Sequence, residues 1–200
     1  MEETGKGNTR RTTRGIDFFR GFLRSPEQVG SIIPSSRFLE RRIVNLSGLA
    51  DATTVVELGP GTGGTTRAIL EAMRPEGRLL TIELDPQFSS ILESFGDPRL
   101  FPHTGSAADL PEILRQYGLP APDVVISGIP FSTMPREIGN AVIEAVRDSL
   151  APGGRFVAYQ FRGHVGRMGR PILGEPEVEL ELLNVPPMRF YRWSRPSASA

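Results

Sequence analysis

Residues 54–73 carry the feature that most constrains how this chain folds: an apolar strand pattern runs directly into a glycine-rich turn, which opens a helix pattern. The turn holds three glycines at alternate positions, Gly59, Gly61 and Gly63. Glycine accepts positive φ and lets a ligand come close to the backbone. Since α/β proteins hold nucleotide-like ligands at such a turn, the stretch predicts both a fold class and a binding loop.

Strand and helix patterns continue to alternate up to residue 161. The predicted strands cover residues 54–58, 78–83, 99–103, 123–127 and 155–161, and the predicted helices cover residues 65–73, 86–95, 110–117 and 135–149. Short apolar strands that alternate with helices predict a parallel sheet with helices on both faces. Ligands bind such sheets beyond the carboxyl ends of the strands, near the point where the strand order reverses.

The last forty residues depart from this alternation. Residues 163–176 are rich in Gly, Pro and Arg and show no periodicity, so we predict a loop there. Residues 178–185 and 190–194 predict a final pair of antiparallel strands.

The first fifty residues also differ from the alternating region. A helix is predicted over residues 35–47, with an apolar face that consists of Phe38, Leu39, Ile43 and Leu46. We therefore divide the chain into a tail and helical segment, residues 1–50, and one globular unit, residues 51–200.

Composition excludes several kinds of site. The 200 residues include no cysteine, which rules out disulfides, thiolate nucleophiles and Cys-based zinc sites, and two histidines are too few for a metal site. The chain has 23 basic residues (Lys and Arg) and 23 acidic residues (Asp and Glu), so its net charge is zero. No global charge therefore favours binding to nucleic acid. No apolar run approaches the ~20 residues that span a bilayer, and we expect a cytoplasmic protein without a secretory signal.

Two acidic residues indicate which ligand the glycine turn holds. Glu57 lies one residue before the end of the first strand, and Glu83 ends the second, at about the spacing expected for a carboxylate that binds ribose hydroxyls. The pyrophosphate of a dinucleotide avoids nearby carboxylates. S-adenosylmethionine (SAM) instead brings a sulfonium and an amino group beside a ribose, which favours SAM. The alternative is a tight turn without a ligand.

These residues resemble the class I SAM-dependent methyltransferases, whose first motif matches Glu57-x-Gly59-x-Gly61-x-Gly63 and whose second matches Glu83. The resemblance implies a Rossmann-like fold with a mostly parallel seven-stranded sheet, SAM as cofactor and S-adenosylhomocysteine as product. It places the glycine backbone against the methionine part of SAM and Leu84 beside the adenine. In the third motif Ser106, followed by Ala107, stands where an acid is common.

The fourth motif, residues 127–131, lies where the acceptor of such enzymes meets the methyl group. Ser127 is expected to serve cofactor and acceptor, Ile129 and Pro130 to contact the substrate, and Phe131 to hold a methylated ammonium by cation–π contact. Adenine amino-methyltransferases carry a related motif with an amide or carboxylate that is missing here. Because that group is missing, methylation of rRNA adenine is the less favoured function and stays an alternative.

The chain resembles bacterial phospholipid N-methyltransferases more closely. The resemblance covers residues 19–36, residues 127–131 and residues 184–189. It implies methylation of phosphatidylethanolamine toward phosphatidylcholine. Two alternatives remain. The acceptor is another aminolipid, such as an ornithine lipid, or a small amine, or the chain is a SAM-binding module without catalysis.

A lipid acceptor requires contact with a membrane. Residues 10–24 combine arginines with aromatic residues such as Phe19, and we expect them to contact an anionic surface on the inner face of the cytoplasmic membrane. A helix that only caps the core is the alternative. Nucleic acid is not expected as a partner.

Four further side chains are candidates for contact with the acceptor. Tyr159 is predicted to lie at the active-site edge, and His164 is a candidate base, although a surface histidine is the simpler interpretation. The cations predicted to bind a lipid phosphate are Arg162, Arg167 and Arg170.

Overall fold

The computed structural model describes residues 37–184 and 187–197, so the expectations for residues 1–36, including Phe19 and residues 10–24, lie outside the described residues. Within this part the helices are α1 (Arg37–Ser47), α2 (Gly64–Ala72), α3 (Pro86–Glu93), α4 (Leu110–Gln116), α5 (Arg136–Ser149) and α6 (His164–Leu173). The strands are β1 (Thr54–Leu58), β2 (Arg78–Glu83), β3 (Leu100–Thr104), β4 (Val124–Ser127), β5 (Arg155–Gln160), β6 (Glu177–Glu181) and β7 (Met188–Ser194).

The seven strands form one sheet in the order β3-β2-β1-β4-β5-β7-β6. Strands β1 to β5 pair in parallel, and β7 runs antiparallel to both β5 and β6. The predicted α/β class and mostly parallel seven-stranded sheet are confirmed. The strand order reverses between β1 and β4, so their carboxyl ends form the crevice where a ligand is expected.

Helices cover both faces of the sheet. Alternate residues of a strand point to opposite faces, so the apolar side chains on each face are buried under helices. Val56 and Leu58 of β1 belong to a core cluster that also contains buried residues of α4, α5 and α6. Val55, between them, is buried but lies outside this cluster. Helix α1 packs against α2 and β5 through residues that include Leu39 and Ile43. The predicted α1 face was wrong at one position, since Phe38 is 52% exposed.

The predicted loop at residues 163–176 was wrong, because residues 164–173 form helix α6. Its glycines have a packing role that composition alone does not reveal. A Cβ at Gly166 would lie 2.5 Å from Tyr191 Cε1, and one at Gly169 would lie 2.5 Å from Trp193 Cζ2. The helix therefore lies directly on two aromatic rings of β7, and Val165 and Met168 are buried beside them.

The antiparallel pair predicted near the end of the chain is confirmed as β6 and β7, with Leu180 opposite Arg189. This hairpin forms the edge of the sheet. No helix within residues 37–184 and 187–197 is long and apolar enough to cross a bilayer.

Candidate cofactor and acceptor site

The loops after β1 and β4 meet at the point where the strand order reverses. The amide of Gly128 donates to the Leu58 carbonyl at 2.9 Å, and the amide of Gly59 donates to the Ile82 carbonyl at 3.0 Å. A Cβ at Gly59 would come within 3.0 Å of Ile129 Cγ1. The predicted cofactor loop and the predicted acceptor motif are therefore in direct contact.

All three glycines of the cofactor loop have positive φ, 71° at Gly59, 56° at Gly61 and 81° at Gly63. Their surroundings differ. A Cβ at Gly63 would meet Phe95 at 2.6 Å, so this glycine permits packing against the end of α3. No heavy atom lies within 4 Å of a Cβ built at Gly61. Gly61 is therefore the position where the loop backbone is open to a ligand.

Glu83 is 8% exposed and holds the cofactor loop through its carboxylate. The amide of Gly61 donates to Oε2 at 3.1 Å, and the amides of Leu84 and Asp85 donate to Oε1 at 2.8 and 3.3 Å. Burial raises the pKa of Glu83, whereas these three hydrogen bonds act against the rise. A carboxylate accepts about four hydrogen bonds, so one position is left for a ligand hydroxyl.

Glu57 is fully buried on the face of β1 that packs against α2. Its Oε2 accepts a 2.6 Å hydrogen bond from the Thr66 hydroxyl, and its Oε1 has no partner among the described residues. Burial is the main cause that raises the pKa of Glu57 to about 7, and the carboxylate of Glu83 adds to it. A buried carboxylate oxygen without a partner is costly, which favours a cationic ligand group nearby.

The acceptor motif is held from β5. The side chain of Gln160, 6% exposed, donates from Nε2 to the Ile129 carbonyl. Ser127 is buried, and its hydroxyl accepts a 3.3 Å hydrogen bond from the Ile129 amide. Both contacts fix the backbone of the motif, so Ser127 has a positioning role that does not depend on a bound ligand.

Tyr159 lies beside the acceptor motif, and its role at the active-site edge stays a prediction. Its hydroxyl is 3.4 Å from Thr65 Oγ1 at the start of α2, and a Cβ at Gly128 would approach that hydroxyl to 2.4 Å. Burial raises the pKa of Tyr159, and the carboxylate of Glu57 raises it further. The side chain is therefore a neutral phenol that can exchange hydrogen bonds with a ligand.

The other predicted site residues divide into two groups. Leu84, Ile129 and Pro130 are half-buried at the carboxyl edge, which is compatible with ligand contact. Phe131 is 1% exposed and Ala107 is 6% exposed, and both belong to the core cluster. In this conformation Phe131 offers no face to an ammonium, and Ala107 serves the core.

Ser106 has a structural partner as well. Its hydroxyl accepts a 3.2 Å hydrogen bond from the Ala108 amide and caps a short 3₁₀ turn at residues 107–109. Its predicted contact with adenine stays a prediction.

One groove of about 810 Å³ is lined by the candidate acceptor residues that follow β5 in the sequence. The groove lies between α6 and the β6–β7 hairpin. Its polar lining comprises Arg162, His164, Arg167, Arg170 and Arg189. Arg170 also pairs with Glu175 at 2.8 Å. The structure thus brings together the three arginines that the sequence selected, and adds Arg189 from β7.

Sequence reasoning missed three residues that shape the site. Thr65 and Thr66 bond to Tyr159 and Glu57, and Gly128 makes room for the Tyr159 hydroxyl. The adjacent threonines that open α2 directly after the glycine turn were a visible signal. The need for glycine at position 128 depends on β5, which is remote in sequence.

Comparison with known proteins identifies the family. The chain is 33% identical to an ornithine lipid N-methyltransferase of Singulisphaera acidiphila over 177 residues, which cover 87% of this chain and 92% of that protein. The chain belongs to the class I SAM-dependent methyltransferases, in the same family as this relative. A scan of the chain against models of known protein families found no match.

Two further similarities are weaker. A small-subunit rRNA methyltransferase A of Phenylobacterium zucineum is 33% identical over 96 residues, which are 47% of this chain and 32% of that protein. The structure of a 1,6-didemethyltoxoflavin N1-methyltransferase of Burkholderia thailandensis, with bound S-adenosylhomocysteine, superposes with a TM-score of 0.67 at 13% identity. That superposition covers 98% of this chain and 94% of the other, and it supports the fold.

The residues at the edge fit SAM. The open backbone at Gly61, the Glu83 carboxylate that borders it and the unpartnered oxygen of Glu57 provide surfaces for the uncharged and the cationic parts of the cofactor. SAM, when bound, supplies a methyl group on a positively charged sulfur. No group of three His, Asp or Glu side chains in the described part of the chain is arranged to hold a metal ion.

Proposed function

We propose that this methyltransferase is an N-methyltransferase that methylates the amine in the head group of a membrane aminolipid. Phosphatidylethanolamine is the acceptor that the sequence motifs favour, and an ornithine lipid is the acceptor that the name of the Singulisphaera relative indicates. Both lipids carry a primary amine close to an anionic group, a phosphate or a carboxylate. The site must therefore bind an anion next to the place where it holds an amine.

The groove between α6 and the β6–β7 hairpin is the observation that carries this proposal. It is lined by four arginines and by Phe161, the residue after Gln160, whose side chain donates to the Ile129 carbonyl. Arginine binds phosphate and carboxylate with paired, charge-assisted hydrogen bonds. An anionic head group in this groove lies next to the acceptor motif, so its amine can reach the carboxyl edge of the sheet.

The acceptor amine must lose its proton before it can take a methyl group. Tyr159 remains a neutral phenol and can accept or donate a hydrogen bond at the edge. Among the residues that line the groove, His164 is the imidazole that we propose as the general base. It is half-buried at the first position of α6, and its Nδ1 has no hydrogen-bond partner among the described residues.

The peripheral location follows from the same proposal. The lipid remains in the bilayer, so the enzyme has to work at the inner face of the cytoplasmic membrane. Residues 10–24, with their arginines and Phe19, are the segment that we propose for contact with anionic lipids.

The direct test is transfer of a labelled methyl group. The full chain is incubated with methyl-labelled SAM and with vesicles that contain phosphatidylethanolamine, ornithine lipid or only phosphatidylcholine, and the lipids are then separated. A parallel reaction contains small-subunit rRNA in place of vesicles. We expect label in at least one aminolipid and none in phosphatidylcholine vesicles. An enzyme that binds S-adenosylhomocysteine but labels no lipid contradicts the proposal, and label in small-subunit rRNA instead supports the rRNA alternative.

A pair of arginine variants tests the groove. Arg167→Gln removes an exposed groove cation, and Arg115→Gln removes an exposed cation of α4 that pairs with Glu112. Loss of one charge-assisted contact should lower kcat/KM for the aminolipid about tenfold in Arg167→Gln, mainly through KM. Arg115→Gln should leave kcat/KM unchanged. Equal values for the two variants would remove the groove from the acceptor site.

A further inference from the structure

The two faces of the edge strand β6 differ in what covers them. Its sequence alternates Glu and apolar residues and continues into Leu182 and Leu183. On one face the glutamates form ion pairs, Glu177 with Arg192 and both Glu179 and Glu181 with Arg42. Each glutamate of this strand is therefore paired with an arginine, and Arg42 is shared by two of them.

The other face and the tip of the hairpin are apolar and uncovered. Val178 is 48% exposed, Leu180 51%, Leu182 70% and Leu183 66%. Edge strands of soluble proteins usually carry charges that prevent association, and a continuous apolar patch marks a binding surface. We call these four residues the hairpin stripe.

Cations lie beside the part of the hairpin stripe that belongs to β6. Val178 and Leu180 stand opposite Tyr191 and Arg189 of β7, so all four share a face. That face borders the groove of α6, which adds Arg162, Arg167 and Arg170. Glu175 is the acid paired with Arg170. An occupant of this surface must therefore combine an apolar layer with negative charge.

We propose that the β6–β7 hairpin docks on an anionic bilayer, with Leu182 and Leu183 in the interface and the groove arginines on lipid head groups. This inference rests on the proposed function, in which the acceptor is a lipid. A bilayer offers both required features, an apolar interior for leucine and anionic head groups for arginine. A second copy of the chain, docked symmetrically, would bring these arginines against each other.

Docking through the hairpin gives the groove a direction. The hairpin stripe contacts the bilayer in this proposal, and two of its residues, Val178 and Leu180, line the same groove as Phe161, which follows β5 at the carboxyl edge of the sheet. A head group can then reach the acceptor motif without its acyl chains leaving the membrane. The hairpin is a contact element in addition to residues 10–24.

A site-specific label tests the docking. Because the chain has no cysteine, Leu183→Cys provides a single thiol for a nitrobenzoxadiazole dye. Ile91→Cys is the matched control, since Ile91 is 41% exposed on α3, which packs against β2 and β3 at the opposite edge of the sheet. With phosphatidylglycerol vesicles we expect a blue shift and brighter emission at position 183, and neither change at position 91 or with phosphatidylcholine vesicles.

A double variant measures how much the tip contributes. Leu182→Gln with Leu183→Gln should weaken binding to phosphatidylglycerol vesicles about tenfold, because apolar area no longer enters the interface. The affinity for S-adenosylhomocysteine should not change, which shows that the variant is folded. Docking is overturned if the double variant binds vesicles as tightly as the original chain, or if the label at position 183 reports dimer formation without lipid.

The vesicle assays separate this inference from the proposed function, because they require no turnover. A hairpin that docks on vesicles while no lipid is methylated contradicts the proposed function alone. Methylated lipid with an unchanged label at position 183 contradicts the hairpin docking alone.

Discussion

Glu57 and Glu83 show how the same residue type takes two roles at one edge of the sheet. Glu83 accepts three backbone hydrogen bonds and so fixes the cofactor loop and the turn after β2. Glu57 accepts one hydroxyl and keeps an unpartnered oxygen. Glu83 therefore fixes the loop through its own hydrogen bonds, whereas Glu57 keeps one carboxylate oxygen that no described residue contacts by a hydrogen bond.

Replacement of Glu83 by alanine should weaken the binding of S-adenosylhomocysteine by tenfold or more, since each 1.4 kcal/mol corresponds to about tenfold in affinity. The loop amides of Gly61 and Leu84 lose their acceptor as well, so unfolding in urea should begin at a lower concentration. Titration calorimetry measures the affinity. Glu76→Ala, on an exposed turn, is the control and should change neither quantity. An unchanged affinity in Glu83→Ala contradicts the ribose role.

The buried carboxyl of Glu57 should make stability depend on pH. Burial raises its pKa from 4.5 to about 7, so the folded state keeps a proton that the unfolded state loses. The proton bound by Glu57 contributes to the free energy of unfolding, and this contribution is fully present below pH 4.5. It is lost as the pH rises to about 7, and the total loss is on the order of 3 kcal/mol at 1.36 kcal/mol per unit of pKa.

The difference between the original chain and Glu57→Gln isolates this effect from all other titrations. The free energy of unfolding, measured in urea from pH 5 to pH 8, should fall with pH more steeply for the original chain. Parallel curves for the two proteins would mean that the carboxyl is not held in an apolar environment.

Helix α6 shows how an element can depend on its glycines. Gly166 and Gly169 lie one turn apart and let Tyr191 and Trp193 approach the helix backbone. The same helix lines the groove with Arg167 and so connects core packing to the candidate acceptor site.

A methyl group at Gly166 has to displace the ring of Tyr191, which is buried against the helix. Gly166→Ala should therefore lower the free energy of unfolding by about 1–3 kcal/mol, the usual cost of overpacking a core. At an exposed helical position the same change normally stabilises by about 0.4–1 kcal/mol. Urea unfolding decides the sign, with Arg167→Ala as a control on the exposed side of the helix. A more stable Gly166→Ala protein would contradict the packing of α6 on β7.

For the whole molecule, the distribution of charge matters more than its sum. The chain has 23 basic and 23 acidic residues, yet one groove combines four arginines with Val178 and Leu180 from the apolar face of β6. Attraction to an anionic surface can therefore be local in a protein without net charge.

Binding to anionic vesicles should consequently depend on salt. Between about 0.05 and 0.5 M salt the affinity for phosphatidylglycerol vesicles should fall by tenfold or more, because screening shortens the range of the attraction from about 14 to about 4 Å. Co-sedimentation measures the affinity, and phosphatidylcholine vesicles are the comparison. A salt-independent affinity for the anionic vesicles would leave only the apolar contact.

The sequence by itself determined the α/β class, the order of elements from β1 to β5 and the glycine loop. These features have local causes: strand and helix periods, and glycines required by positive φ at Gly59, Gly61 and Gly63. The sequence also selected Glu57, Glu83 and Tyr159, which the structure brings to the same edge.

The tertiary structure decided what distant residues do to one another. Helix α6 was missed because its glycines are explained only by the rings of Tyr191 and Trp193. Phe131 looked like an acceptor contact in the sequence, but its burial depends on the elements packed around it. Likewise, the exposure of the hairpin stripe and its proximity to the arginines of α6 exist only after β6 takes the edge of the sheet, because no local pattern specifies which strand is left without a neighbour.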